Sequence, residues 1–162
     1  MEWAEVIDNP LLNDLPFKIE LNRWGQLLMS PASNNHGIRQ FDIGLLLNQS
    51  KGSGQVIIEC SIDTPKGVKV ADVAWASDEF MNLHGDKTPY TVAPEICVEV
   101  ISPSNSKPQM QEKVRLYLNQ GAKEVWLCSQ KGKISYYSST GKLEKSAEVE
   151  AQSVKSTIRK RI

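Results

Sequence analysis

Two acidic residues stand where their neighbours make burial hard to avoid: Asp72 in VKVADVAWA and Glu99 in ICVEVIS. An ionised carboxylate in a covered sheet costs on the order of several kcal/mol unless a cation or a set of hydrogen bonds compensates it. A divalent ion is one such compensation. Magnesium takes hard oxygen ligands, commonly one or two carboxylates with water and substrate phosphate, and two acids on adjacent strands meet that demand. A lysine beside the pair would complete a hydrolytic site by orienting or activating the attacking water and stabilising developing charge. Lys113 is the candidate, because it follows the Glu99 strand on a helical segment and its long flexible stem can reach back to the sheet. Taken singly, each residue has a plainer reading. Asp72 could be polar on a half-exposed strand, Glu99 and Lys113 a structural ion pair, and Lys113 a solvated helix residue.

The elements that must position these residues can be read from periodicity. Residues 1–23 form an N-terminal arm with short helical turns around Pro10 and Pro16, and Gln26–Ser30 reads as a short strand. PASNN carries turn and capping chemistry before a helix over His36–Gln49, whose apolar stripe is Ile38, Phe41, Leu45 and Leu46. Strands are expected at Gln55–Cys60, Gly67–Ala76 and Glu95–Ser102. The third has Ile96, Val98 and Val100 on one face and Cys97 and Ile101 on the other, the pattern of a central strand covered on both sides. A second helix spans 109–120 with Met110, Val114, Tyr117 and Leu118 on its face and Gly121 as its stop. Val125–Cys128 and Lys133–Ser138 then pair across a QKG turn, and residues 141–162 read as a polar edge or tail.

The 162 residues carry 19 basic and 19 acidic side chains with 40% hydrophobic content, which describes one ordinary globular domain of α/β (α+β) class. A formal charge of zero excludes a protein that coats nucleic acid through bulk positive charge. Cys60, Cys97 and Cys128 lie in strand-like runs without zinc-ligand spacing and read as reduced core thiols, which together with the absence of a signal-like or membrane-spanning stretch gives a cytoplasmic expectation and no membrane partner.

At these residues a resemblance emerges. ADVAW (71–75), PEICVEVISPSN (94–105) and QEKVRLYLNQGAKEVWL (111–127) resemble the Uma-two family of putative restriction endonucleases, within the PD-(D/E)XK nuclease superfamily. FKIELNRWGQLLMSPASNNHGIRQ (17–40) is similar to that family's opening strand, Ser-Pro turn and His-led helix. The resemblance implies a restriction-endonuclease-like central mixed sheet flanked by helices and cleavage of DNA dependent on Mg²⁺ or Mn²⁺. Asp72 and Glu99 would be the metal carboxylates, and Lys113 the lysine moved to the helix. Three positions depart from the pattern. Ala71 replaces the proline before the first acid, Ile101 the lysine two residues after the second, and Gln109 an acid common in the family. Glu20 is a candidate further carboxylate.

Other residues attract simpler readings. His36 reads as a capping or DNA-proximal residue and His84 as a solvated loop residue. Gly52, Gly54 and Gly67 read as turn glycines, since no Gly-Lys-Ser/Thr follows. Trp75 and Trp126 read as core, Trp3 and Trp24 as a dimer contact, and Lys155, Arg159, Lys160 and Arg161 as a solvated basic end. The functional expectation is a magnesium-dependent endodeoxyribonuclease acting as a homodimer, since two-fold sites suit a duplex. The rival is a catalytically inactive nuclease-like module that binds nucleic acid or a protein partner; a third reading makes the acids core ion pairs in a structural domain. With two carboxylates close together and at most one lysine nearby, at least one apparent pKa should rise, and Asp72→Asn should stabilise the metal-free protein.

Overall fold

A computed structural model describes residues 1–158, so Arg159, Lys160 and Arg161 of the basic end lie outside the described residues. Six strands form a mixed sheet in their order along the chain: β3 (Gln55–Thr64), β4 (Gly67–Ala76), β5 (Ile96–Val100), β6 (Glu124–Cys128), β7 (Ile134–Ser138) and β8 (Gly141–Leu143). Every neighbouring pair is antiparallel except β5 and β6. A parallel pair needs a crossover, and α4 (Lys107–Asn119) supplies it. The chain thus has the mixed, helix-flanked sheet expected from its sequence.

Both faces of the sheet are covered. On one, Cys97, Val125 and Leu127 meet Met110, Val114 and Tyr117 of α4 and Phe80 of α3 (Asp78–His84). On the other, Val73, Trp75, Ile96, Val98, Val100 and Trp126 meet Ile43, Leu46 and Leu47 of α2 (Asn34–Lys51). The alternation of β5 between two apolar faces therefore matches its central place. The stripe expected on α2 does not. Of that stripe Leu46 is buried, but Phe41 is 67% exposed and Leu45 37%, and the other buried positions are Ile43 and Leu47. The run from Ile38 to Leu47 carries two overlapping apolar stripes, and packing selects the one containing Gly44, which faces Val56 and Ile58 of β3.

Beyond residue 141 the chain adds β8 as an edge and then α5 (Ala151–Thr157), with Val149 and Ile158 buried against α2's side of the sheet. Buried Glu124 ties this segment down by accepting from Ser146 Oγ, the Ala147 amide and Trp126 Nε1, each at 2.7 Å. Local polarity hid this docking, because the apolar side chains that carry it, Leu143, Val149, Val154 and Ile158, are scattered among polar neighbours.

The N-terminal arm is a small layer of its own. α1 (Trp3–Asp8) precedes the antiparallel ribbon of β1 (Phe17–Leu21) and β2 (Leu27–Pro31). Trp3, Val6 and Leu21 pack on Val68 and Val70 of β4. Trp3 is thus core and not a dimer contact; Trp24 is 68% exposed beneath the Arg23 guanidinium. His84 also departs from expectation: its ring lies 4.9 Å from that of Phe80 and its Nδ1 is buried, because α3 folds it inward. The ribbon docks where β4 begins. Gly67 has φ +88, and a Cβ there would lie 2.4 Å from the carbonyl oxygens of Leu21 and Asn22, so only glycine admits this approach.

Two outcomes follow. Gly67→Ala should lower stability by more than about 1 kcal/mol in urea titration, since it adds strain at positive φ and a backbone clash. Burial pushes the thiol pKa of Cys60 up to about 12 and of Cys128 up to about 11, so Ellman's reagent at pH 8 should label the native protein negligibly and all three cysteines after unfolding.

Candidate functional site

The β4–β5 ladder runs through Trp75↔Ile96, Ala74↔Cys97 and Val73↔Val98. One step on, where Asp72 would face Glu99, the pairing ends and the Val100 amide donates instead to Asp72 Oδ2 at 2.7 Å. The other side of β4 is interrupted at the same level. Ile58 pairs with Val73 and Cys60 with Ala71, but Glu59 between them adopts φ 56, a left-handed backbone unusual for a non-glycine residue. Asp72 therefore sits at a break in the ladder on both flanks, which leaves room for side chains to converge on it.

Four elements fill that room with charge. Lys18 of β1 places Nζ 2.8 Å from Asp72 Oδ1 and 3.2 Å from Glu99 Oε2. Lys113 of α4 places Nζ 3.0 Å from Glu99 Oε1 and 2.8 Å from Glu20 Oε1. The order Asp72, Lys18, Glu99, Lys113, Glu20 alternates in sign. Hydrogen bonds fix the acids further: Tyr117 Oη donates to Glu99 Oε1 at 2.7 Å, and the Val70 amide to Glu20 Oε1 at 2.7 Å. Lys18, Glu20, Asp72, Glu99 and Lys113 line an open cleft of about 770 Å³ whose rim includes Phe17, Leu28, Met29, Ser102 and Gln109.

His36 completes the cluster. Ser33 caps α2 by accepting from the His36 amide, so the ring is free to bring Nε2 within 3.2 Å of Asp72 Oδ1. His36, Glu59 and Asp72 offer ligand atoms all within 4.8 Å of one another, a group able to hold a metal ion. The reading of His36 as a capping or DNA-proximal residue therefore leaves out its contact with Asp72: its position at the start of α2 is also what aims its imidazole at the acid.

The two central carboxyls respond oppositely to one environment. At Asp72, burial favours protonation, but Lys18 and the His36 hydrogen bond outweigh it and hold the carboxyl well below its usual range. At Glu99, enclosure outweighs the attraction of Lys113 and Lys18, and the carboxyl is pushed up. Burial likewise works against the Lys18 ammonium, yet Glu99, Asp72 and Glu20 together raise its pKa. His36 is raised chiefly by its hydrogen bond to Asp72.

The structure brings Asp72, Glu99, Lys113 and Glu20 together, all named from sequence. Lys18 and Glu59 were not, and Tyr117 was named only as part of the apolar face of its helix. Lys18 and Glu20 alternate with Phe17, Ile19 and Leu21, a pattern that reads as the solvent face of an ordinary strand. Ile101 is partly buried against the core and brings no charge. Gln109 spends its Oε1 on the Ser106 amide in a capping box at the start of α4.

This is the fold of a known class. A structure described as a putative nuclease belonging to DUF820 from Anabaena variabilis superposes with a TM-score of 0.63 at 15% identity, covering 74% of this chain and 71% of that one. The sequence pattern of the family Uma2, described as putative restriction endonuclease, matches residues 9–159, and the chain belongs to that family. No curated protein sequence matches it. Among the described residues, no helix is long and apolar enough to cross a membrane.

The second cation reverses one expectation. Asp72→Asn in the metal-free protein removes one of the two carboxylates that Lys18 bridges and the carboxylate that faces His36, and should destabilise by about 1–3 kcal/mol at pH 7, not stabilise. Because the folded pKa of Asp72 lies below its ordinary 3.8, its contribution is present above that value and lost as pH falls, so the deficit should shrink toward about pH 2 in parallel denaturation series.

Proposed function

We propose that the protein is a divalent-metal-dependent endonuclease that hydrolyses phosphodiester bonds of DNA. The observation that carries this reading is the meeting of Asp72, Glu99, Glu20 and Lys113 from three strands and a helix in one open cleft. The donor set suits the implied metal. Carboxylate oxygens of Asp72 and Glu99 are hard ligands, and their present compensation by Lys18 marks a position built for positive charge. Asp72 and Glu99 would hold Mg²⁺ or Mn²⁺, with His36 and Glu59 beside Asp72. When bound, such an ion polarises the phosphate and lowers the pKa of water.

The chain's own residues supply the rest. Lys113, held between Glu99 and Glu20, would orient the attacking water and stabilise charge on the transferring phosphoryl group. Tyr117 fixes the orientation of Glu99 from behind, and the Val100 amide does the same for Asp72. We further propose a single catalytic domain that works in the cytoplasm as a homodimer, which would present two such clefts to the two strands of a duplex.

One observation favours the inactive, nucleic-acid- or partner-binding alternative: Asp72, Glu99 and Glu20 each already accept a hydrogen bond from a lysine. Supercoiled plasmid separates the two. With Mg²⁺ or Mn²⁺ the wild type should nick and linearise it, while Asp72→Ala and Lys113→Met fold but lose about 10²-fold or more in rate. Full activity in Lys113→Met would remove the assigned lysine. Metal-independent DNA binding by the wild type without any cleavage would establish the inactive module.

A further inference from the structure

Lys18 has no place in the proposed hydrolysis, yet it makes the most central contact of the site. Its ammonium touches both Asp72 Oδ1 and Glu99 Oε2, the two acids assigned to the metal. It does so from β1, outside the six-stranded sheet that carries both acids. The side chain is only 12% exposed, so this is a desolvated bridge and not a passing surface pair. Lys113, by contrast, touches Glu99 through its other oxygen and leaves Asp72 untouched.

We propose that Lys18 is an internal stand-in for the divalent cation, a gate that must withdraw from Asp72 and Glu99 before metal can load. One pair of carboxylate oxygens cannot ligate a divalent ion and hold an ammonium between them at the same time. In the metal-free protein the lysine supplies the charge that keeps the two acids from repelling each other, and the metal takes that duty over. Loading is then an exchange of one cation for another. The apparent metal affinity is reduced by the share of molecules in which Lys18 remains in place. The four-carbon stem makes withdrawal feasible, since β1 lines the cleft and the ammonium can swing toward its open mouth.

This inference rests on the metal site proposed above, and the test keeps the two apart. Mn²⁺ binding, read by calorimetry and by loss of the free-ion electron paramagnetic resonance signal, needs neither DNA nor turnover. Lys18→Gln should bind Mn²⁺ at least about tenfold more tightly than wild type, the effect of removing a competitor that holds roughly nine molecules in ten. Its melting temperature without metal should fall, and saturating Mn²⁺ should restore it. Lys18→Arg, which keeps the charge and grips carboxylates with a planar fork, should bind Mn²⁺ more weakly than wild type and covers the case in which Lys18→Gln does not fold. Wild-type binding with unchanged or weaker affinity in Lys18→Gln, or unchanged affinity in Lys18→Arg, would overturn the gate while leaving the metal site standing. Absence of Mn²⁺ binding in both wild type and Lys18→Gln would overturn the metal site and the gate with it.

Discussion

Placing Asp72 and Glu99 at facing positions of a covered sheet creates a charge balance that the rest of the chain has to meet. Neither acid can be solvated as it would be at a surface, and each is within reach of the other. Burial alone would drive both toward the neutral form, as it does for Glu99. That Asp72 is held ionised instead depends on cations brought in from segments far apart in sequence, Lys18 and His36. The fold can be understood as the arrangement that delivers those cations.

Each delivery has a structural condition. Lys113 arrives because the parallel pairing of β5 and β6 requires a crossover, and the crossover helix begins just beyond Glu99 with its buried face set by Met110, Val114 and Tyr117. Tyr117 shares that face, one turn on, and so reaches the same carboxylate. His36 arrives because Ser33 starts α2 at the broken edge of the ladder. Lys18 arrives because Gly67 lets a separate ribbon approach the start of β4. The left-handed Glu59 and the unmade β4–β5 rung are the cost of leaving space among them.

The sequence revealed the acids because a charge in an apolar run is an anomaly that needs no partner to be noticed. It also revealed β5 as central, from two apolar faces, and Lys113 from its adjacency to that strand. Lys18 was invisible for the opposite reason: a lysine alternating with apolar residues is what any half-exposed strand shows, and only the docking of the ribbon turns it inward. The α2 stripe failed where composition was ambiguous, since Ile38, Phe41 and Leu45 satisfy helical spacing as well as Ile43, Leu46 and Leu47 do. The closing helix α5 escaped because its anchors, Glu124 and Ser146, lie outside it and pair across 22 residues.

The ribbon of β1 and β2 has one further consequence. Two strands are marginal alone, and this pair is fastened by Trp3, Val6 and Leu21 against β4 and by the terminal ammonium of Met1 on the Gly25 carbonyl at 3.2 Å. It carries Lys18 and Glu20 side by side on one face, so if it lifts away it removes one positive and one negative charge together. The sum of charges left in the cleft is the same before and after. Local opening of this layer therefore breaks three ion pairs, those of Lys18 with Asp72 and Glu99 and of Lys113 with Glu20, along with a small patch of apolar contact, yet it leaves the net charge of the cleft where it was.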